Sequence, residues 1–193
     1  MRRAVFLDHD EPAGSSNLGK RRRAVFLDRD GVLNRRRLAL VRKPSQLVLL
    51  PEAPEAAARL SKAGFALAIV TNQEWVSRGY IARADHDEVM RRVVAALEDA
   101  GAKVEGVYAA LTPETAKPRP AMLLQAARDL GVDLAASYMV GDNAKDVLAG
   151  RAAGCRTVLV DPRLRTAIQG ANARADHVCR ALPEAADWIL SRA

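Results

Sequence analysis

The stretch Ala24-Val25-Phe26-Leu27-Asp28-Arg29-Asp30-Gly31-Val32-Leu33-Asn34 decides how the rest of this chain is read. Its first four residues are apolar without a break, which suits a short strand buried on both faces of a parallel sheet. Two carboxylates, Asp28 and Asp30, follow with one residue between them, and Gly31 then turns the chain. Carboxylates at the end of a buried strand supply the oxygen ligands that a hard cation requires. A carboxylate held there can also attack a phosphorus centre. Alone, the pair fits a solvated loop equally well. Three later strings add weight, in this order: Val70-Thr71-Asn72-Gln73, Lys117-Pro118 and Gly141-Asp142-Asn143-Ala144-Lys145-Asp146.

Outward from that stretch, strands and helices alternate. Residues 54–63 predict a helix, with Ala56, Ala57, Leu60 and Ala63 on one face, Pro54 at its start and Gly64 after its end. Residues 65–70 form a continuous apolar run, again a strand buried on both faces. Residues 84–100 predict a longer helix, apolar at Val89, Val93, Ala96 and Leu97, with Asp85, Asp87 and Glu88 near its start. Further strands are expected at 104–110, 137–140, 157–160 and 177–179. Helices are expected at 120–130, 144–153 and 183–191. The pattern predicts an α/β fold built on a doubly wound parallel sheet. Such sheets bind ligands at the carboxyl ends of their strands, near a topological switch point. Asp28, Thr71 and Asp142 each stand just past an apolar strand, so one rule puts three separate strings on one rim.

Composition narrows the class. A chain of 193 residues suits one domain with at most a small appendage. The formal charge of +7 fits an anionic partner such as a phosphate ester or nucleic acid. It fits equally a protein that uses arginine freely on its surface. Aromatic residues make up only 4% of the chain, which disfavours a nucleic-acid partner bound by base stacking. The early apolar run Ala4-Val5-Phe6-Leu7 is too short for the core of a signal peptide, and no stretch approaches a membrane helix. The expectation is a soluble cytoplasmic monomer. Cys155 and Cys179 show no metal-type spacing.

Residues 2–10 nearly duplicate residues 22–30. Only the second copy continues into Gly31-Val32-Leu33-Asn34. The first continues into a turn-rich linker, Glu11-Pro12-Ala13-Gly14-Ser15-Ser16-Asn17. Residues 1–20 are therefore assigned to an N-terminal extension carrying a duplicated strand-like motif, able to pair at a sheet edge, and residues 21–193 to the main domain.

With all four strings in order, residues 24–188 resemble the haloacid dehalogenase superfamily of phosphatases. They are most similar to its small-capped branch of heptose bisphosphatases and histidinol-phosphate phosphatases. The strings FLDRDGVLN, GFALAIVTNQ, SRGY, KPRPAMLLQAARDLGV and DLAASYMVGDNAKDVLAG carry the likeness. The resemblance implies a minimal cap or none. It makes Asp28 the nucleophile and Asp30 the general acid and then base. Thr71 and the amide of Asn72 would hold phosphate oxygens, with Gln73 and Arg78 on the substrate side. Lys117 would neutralise the transferring phosphoryl group. Asp28, the carbonyl of Asp30, and Asp142 would ligate Mg²⁺, with Asp146 in support. Plainer roles exist for each: Thr71 as a turn cap, Lys117 and Arg78 as solvated cations, Asp142 and Asp146 as helix-start acids. His86 and His177 look like surface or helix-start residues without a role.

The chain departs from that branch in four places. Residues 109–116, Ala-Ala-Leu-Thr-Pro-Glu-Thr-Ala, contain no Cys or His, so no zinc is expected. Ala116 stands where an arginine is common. Glu74-Trp75-Val76 replaces small residues, and Arg35-Arg36-Arg37 replaces the usual substrate loop. The leading expectation is a Mg²⁺-dependent phosphomonoesterase that forms an aspartyl-phosphate on a small sugar phosphate or bisphosphate, of the heptose 1,7-bisphosphate 7-phosphatase type. Histidinol-phosphate phosphatase and nucleic-acid 3′-phosphatase stand as alternatives. A binding protein that kept the fold but lost turnover is disfavoured by the intact Asp28, Asp30, Lys117 and Asp142 set.

Overall fold

Ala24, Val25, Phe26 and Leu27 are all fully buried, as expected for a central strand of a sheet covered on both faces. The structure is a computed structural model that describes residues 5–6, 22–37, 40–163 and 174–193, with Val5 and Phe6 as backbone only. Seven strands lie in one sheet: β1 (Val5–Phe6), β2 (Ala24–Leu27), β3 (Ala66–Asn72), β4 (Val104–Ala110), β5 (Tyr138–Gly141), β6 (Arg156–Val160) and β7 (His177–Cys179). Their order is β1-β4-β3-β2-β5-β6-β7, and every pairing is parallel.

Six α-helices and a short 3₁₀ turn (Pro44–Gln46) complete the described fold: α1 (Ala53–Lys62), α2 (Glu74–Ser77), α3 (Arg83–Asp99), α4 (Ala121–Leu130), α5 (Ala144–Ala153) and α6 (Leu182–Leu190). Side chains alternate along β2 as a pleat requires. Val25 and Leu27 pack with Leu60 of α1, Val93 of α3 and Ile189 of α6. Ala24 and Phe26 pack with Met122 of α4 and Ala149 of α5 on the opposite face. The doubly wound sheet read from the sequence is thus the one observed. The chain moves from β2 through β3 to β4 on one side, then crosses to β5 on the other, so the switch point lies at the end of β2.

Two features fall outside the pattern. The one-turn helix α2 is too short for any period to show; it closes through Val76 N to Gln73 O at 3.0 Å and Arg78 N to Glu74 O at 3.3 Å. Val5–Phe6 of the first motif copy joins the sheet edge, in register with Tyr108 and Ala109 of β4. The acids of that copy, Asp8 and Asp10, and its linker lie outside the described residues.

His86, expected at the surface or a helix start, lies near the start of α3 but is 1% exposed on its inner face. A half-apolar ring at a core-facing helix position is buried by packing, which its polar neighbours in sequence conceal. His177 is half-buried and stacks on Trp188 with ring centroids 4.9 Å apart.

After β2 the chain makes no separate cap domain among the described residues. Leu33 and Asn34 fold back against Leu49 and Leu50, through Arg35 N to Val48 O at 2.8 Å and Leu50 N to Leu33 O at 3.0 Å. This small flap borders the rim and carries Arg36 and Arg37 over it.

Candidate active site

The site starts from the end of β2. Asp28 N donates to Val140 O of β5 at 2.9 Å, so the sheet pairing runs on to the nucleophile candidate itself. A tight turn follows: Leu33 N and Asn34 N both donate to Arg29 O, at 2.9 and 3.1 Å, and Gly31 N to Asn34 O at 2.7 Å. Gly31 has φ 89°. An added Cβ would also overlap the Asp142 carboxylate, so only glycine satisfies both the turn and the close approach.

Lys117 is the centre of the constellation, although it is 3% exposed. Its ammonium donates to Asp28 Oδ1 at 2.9 Å, to Val70 O at 2.8 Å and to Asp146 Oδ1 at 2.6 Å. All three ammonium protons are therefore used. Asn72 holds the backbone of this lysine: Lys117 N donates to Asn72 Oδ1 at 2.8 Å, and Asn72 Nδ2 to Lys117 O at 2.9 Å. The Asn72 side chain is thus committed to the lysine loop. Gln73 is 3% exposed and donates to Thr71 Oγ1 at 2.9 Å, which orients that hydroxyl.

Asp30 points elsewhere. Arg29, itself 2% exposed, donates to Asp30 Oδ2 at 2.6 Å, and Asn34 Nδ2 donates to Asp30 Oδ1 at 2.9 Å. Asp30 remains 31% exposed. It is thus fixed in orientation yet open to the cavity.

Asp28, Asp142 and Asp146 converge so that one carboxylate oxygen from each lies within 4.8 Å of the others. Lys117 pairs with Asp28 and Asp146, and Arg36 with Asp142. Burial, together with Asp146 and Asp142, pushes Asp28 up to about 7 against the pull of Lys117. Burial also pushes Asp142 up to about 6, with Asp146 adding to it and Arg36 opposing. Burial alone would lower Lys117, but the carboxylates of Asp146 and Asp28 outweigh it and hold the ammonium above its ordinary value. The cluster has oxygen donors only and more negative than positive charge, which suits a hard cation such as Mg²⁺.

A cavity of about 330 Å³ opens on this rim. Asp28, Asp30, Thr71, Asn72, Lys117 and Asp142, six of the residues expected from sequence, line it together. Gln73 and Arg78 do not: Gln73 sits behind Thr71, and the Arg78 guanidinium lies 5.1 Å from the ring centre of Trp75. Asp146 joins Asp28 and Asp142 in the carboxylate cluster, while the Asp30 carboxylate is held by Arg29 and Asn34.

Sequence reasoning gave four residues no place in the site. Buried Arg29 gave no signal, because an arginine between two aspartates reads as solvated. Trp75 and Glu74 were seen only as departures, yet both line the cavity. Arg36 donates to Asp142 Oδ2 at 3.0 Å across the rim, a contact that chain separation hides.

This rim and this sheet define a hydrolase. The chain belongs to the haloacid dehalogenase-like hydrolases, whose family model matches residues 3–154. Among curated relatives it is 32% identical over 178 residues to the D-glycero-beta-D-manno-heptose-1,7-bisphosphate 7-phosphatase of Bordetella bronchiseptica, covering 88% of this chain and 98% of that one. It is 36% identical over 144 residues to the enzyme of that name from Pseudomonas aeruginosa, covering 72% of this chain and 81% of that one. The solved D,D-heptose 1,7-bisphosphate phosphatase from B. bronchiseptica, complexed with magnesium and phosphate, superimposes with a TM-score of 0.79 at 32% identity, over 89% of this chain and 99% of that one. The corresponding Burkholderia thailandensis structure gives a TM-score of 0.68 at 29% identity, over 88% of this chain and 99% of that one. The chain is therefore an enzyme, a phosphatase of this family.

Proposed function

We propose that this enzyme removes one phosphate from a sugar bisphosphate of the heptose 1,7-bisphosphate class, with Mg²⁺ and without zinc, as a cytoplasmic monomer. The observation that carries the proposal is the Asp28–Lys117–Asp146 arrangement, with Asp142 beside it and Asp30 open to the same cavity. The likeness to enzymes named for heptose 1,7-bisphosphate supplies the substrate class. Bound among Asp28, Asp142 and Asp146, Mg²⁺ would offset the charge of the substrate phosphate as it meets the carboxylates.

In the first step an oxygen of Asp28 forms a bond to phosphorus, and the bond to the sugar oxygen breaks. Asp30 gives its proton to the departing alkoxide, releasing the alcohol. In the second step Asp30 takes a proton from water, the hydroxide attacks the aspartyl-phosphate, and Asp28 is regenerated with release of phosphate. The Thr71 hydroxyl and the amide of Asn72 hold phosphoryl oxygens while this charge shifts, and the positive charge of Lys117, fixed behind Asp28, offsets it; such electrostatic stabilisation is where most of the acceleration in phosphoryl transfer arises. Arg29 and Asn34 keep the Asp30 carboxyl facing the leaving group through both steps.

No helix of the described residues is long and apolar enough to cross a membrane. Residues 109–116 offer no thiolate or imidazole to zinc. The test is a phosphate-release screen with Mg²⁺ over heptose 1,7-bisphosphate, hexose phosphates, histidinol phosphate, nucleotides and 3′-phosphorylated oligonucleotides, beside metal analysis of the purified protein. The proposal expects heptose 1,7-bisphosphate to give the highest kcat/KM and zinc to be absent. A higher kcat/KM for histidinol phosphate or an oligonucleotide would overturn it.

A further inference from the structure

We propose that Trp75 and Glu74 form a sugar-recognising wall of the cavity, with Trp75 stacking on the ring of the substrate and Glu74 accepting from its hydroxyls. This rests on the phosphatase reading and adds to it the part of the substrate that does not react. Both residues line the cavity, yet neither belongs to the phosphoryl-transfer set.

Trp75 is 38% exposed, an unusual state for a large apolar ring beside a charged site. Several contacts restrain it. Tyr80 N and Ile81 N both donate to Trp75 O, at 3.0 and 3.2 Å, and Ile81 is itself buried. The Tyr80 ring meets the indole edge-on at 5.4 Å and 86°, and the Arg78 guanidinium covers it at 5.1 Å. Ser77 Oγ ties the same turn to Leu111 O at 2.5 Å. A tryptophan restrained by its neighbours and open toward a cavity offers a stacking surface already partly ordered before binding. Arg78 is then a positioning residue that acts through Trp75.

The topology separates this wall from the cationic side. Glu74 and Trp75 follow β3, whereas Asn143 and Lys145 follow β5, and Arg36 and Arg37 follow β2 between them. A phosphate would avoid the Glu74 carboxylate, but a polyol would use it. An aromatic face beside a carboxylate therefore fits a hydroxylated ring, while the three cations fit a second anion on the same substrate.

The test uses the full chain. In an Asp28→Asn, Trp188→Phe background, Trp75 is the sole tryptophan, because the chain has two. Mannose 6-phosphate should change its fluorescence saturably, and inorganic phosphate should change it far less. In turnover, Trp75→Ala should raise KM for mannose 6-phosphate about fivefold more than for ringless glycerol 3-phosphate, and Trp75→Phe should restore most of the difference. Equal KM changes for the two substrates, a lower KM for the sugar phosphate, or an equal response to both ligands would overturn the proposal. If heptose 1,7-bisphosphate is not the preferred substrate yet Trp75→Ala still separates ring from ringless substrates, the wall stands and the substrate assignment falls. If it is preferred and Trp75→Ala separates nothing, the reverse holds.

Discussion

Asp28→Asn should abolish turnover and, in metal-free protein, raise stability. Asp28 is 8% exposed, and burial with two neighbouring carboxylates lifts it to about 7. Each unit above the ordinary carboxyl value corresponds to about 1.4 kcal/mol, so holding the ionised form in the fold costs at most about 4 kcal/mol. Asparagine keeps an oxygen that accepts from Lys117 but loses the charge-assisted part of that bond, leaving a net gain of about 2 kcal/mol. For a chain of this size that is roughly 4–8 °C in Tm. The pH dependence has a definite sign. The folded pKa lies above the unfolded one, so the native state binds the proton more tightly, and wild-type stability falls as pH rises from about 4 to about 7. The variant escapes that fall. Its advantage should be full at pH 8 and should vanish near pH 4. Thermal melts in chelator at several pH values, beside phosphate release with Mg²⁺, test both halves. Undiminished turnover would refute the nucleophile assignment. A lower metal-free Tm at pH 8 would refute the electrostatic reasoning.

Gly31→Ala forces an ordinary residue to φ 89° and drives its Cβ into the Asp142 carboxylate; turnover should drop about a hundredfold, and urea midpoints should show a loss of about 2 kcal/mol. Asn72→Ala removes both hydrogen bonds to the Lys117 backbone and leaves a buried donor unpaired, which should cost about 2–3 kcal/mol and lower kcat more than it raises KM; unchanged kcat would show that Lys117 is placed by its ammonium contacts alone. Deleting residues 1–20 uncovers the β4 edge, so the melt should weaken by about 1 kcal/mol, but β1 lies beyond β4 and β3 from β2, so turnover should stay within a few-fold; a collapse in rate would refute that separation.

The sequence by itself determined the parallel sheet and the rim. Unbroken apolar runs ending in Asp28, Thr71 and Asp142 are local features, and a strand buried on both faces has few alternatives once helices of the right length lie between. It also carried the chemistry of each residue type: carboxylates, a lysine and a hydroxyl in an order that one family uses. Only the tertiary structure decided the pairings. Arg29 serving Asp30, Asn72 serving the Lys117 backbone, Asp146 completing the carboxylate cluster, and Arg36 reaching Asp142 are contacts between side chains whose sequence neighbours say nothing about direction. The same holds for Trp75, which the chain marks as an oddity and the fold turns into a cavity wall. The physical reason is the range of the signals. Periodicity reports which face of an element is buried, whereas the partner of a polar side chain depends on where separate strands end in space.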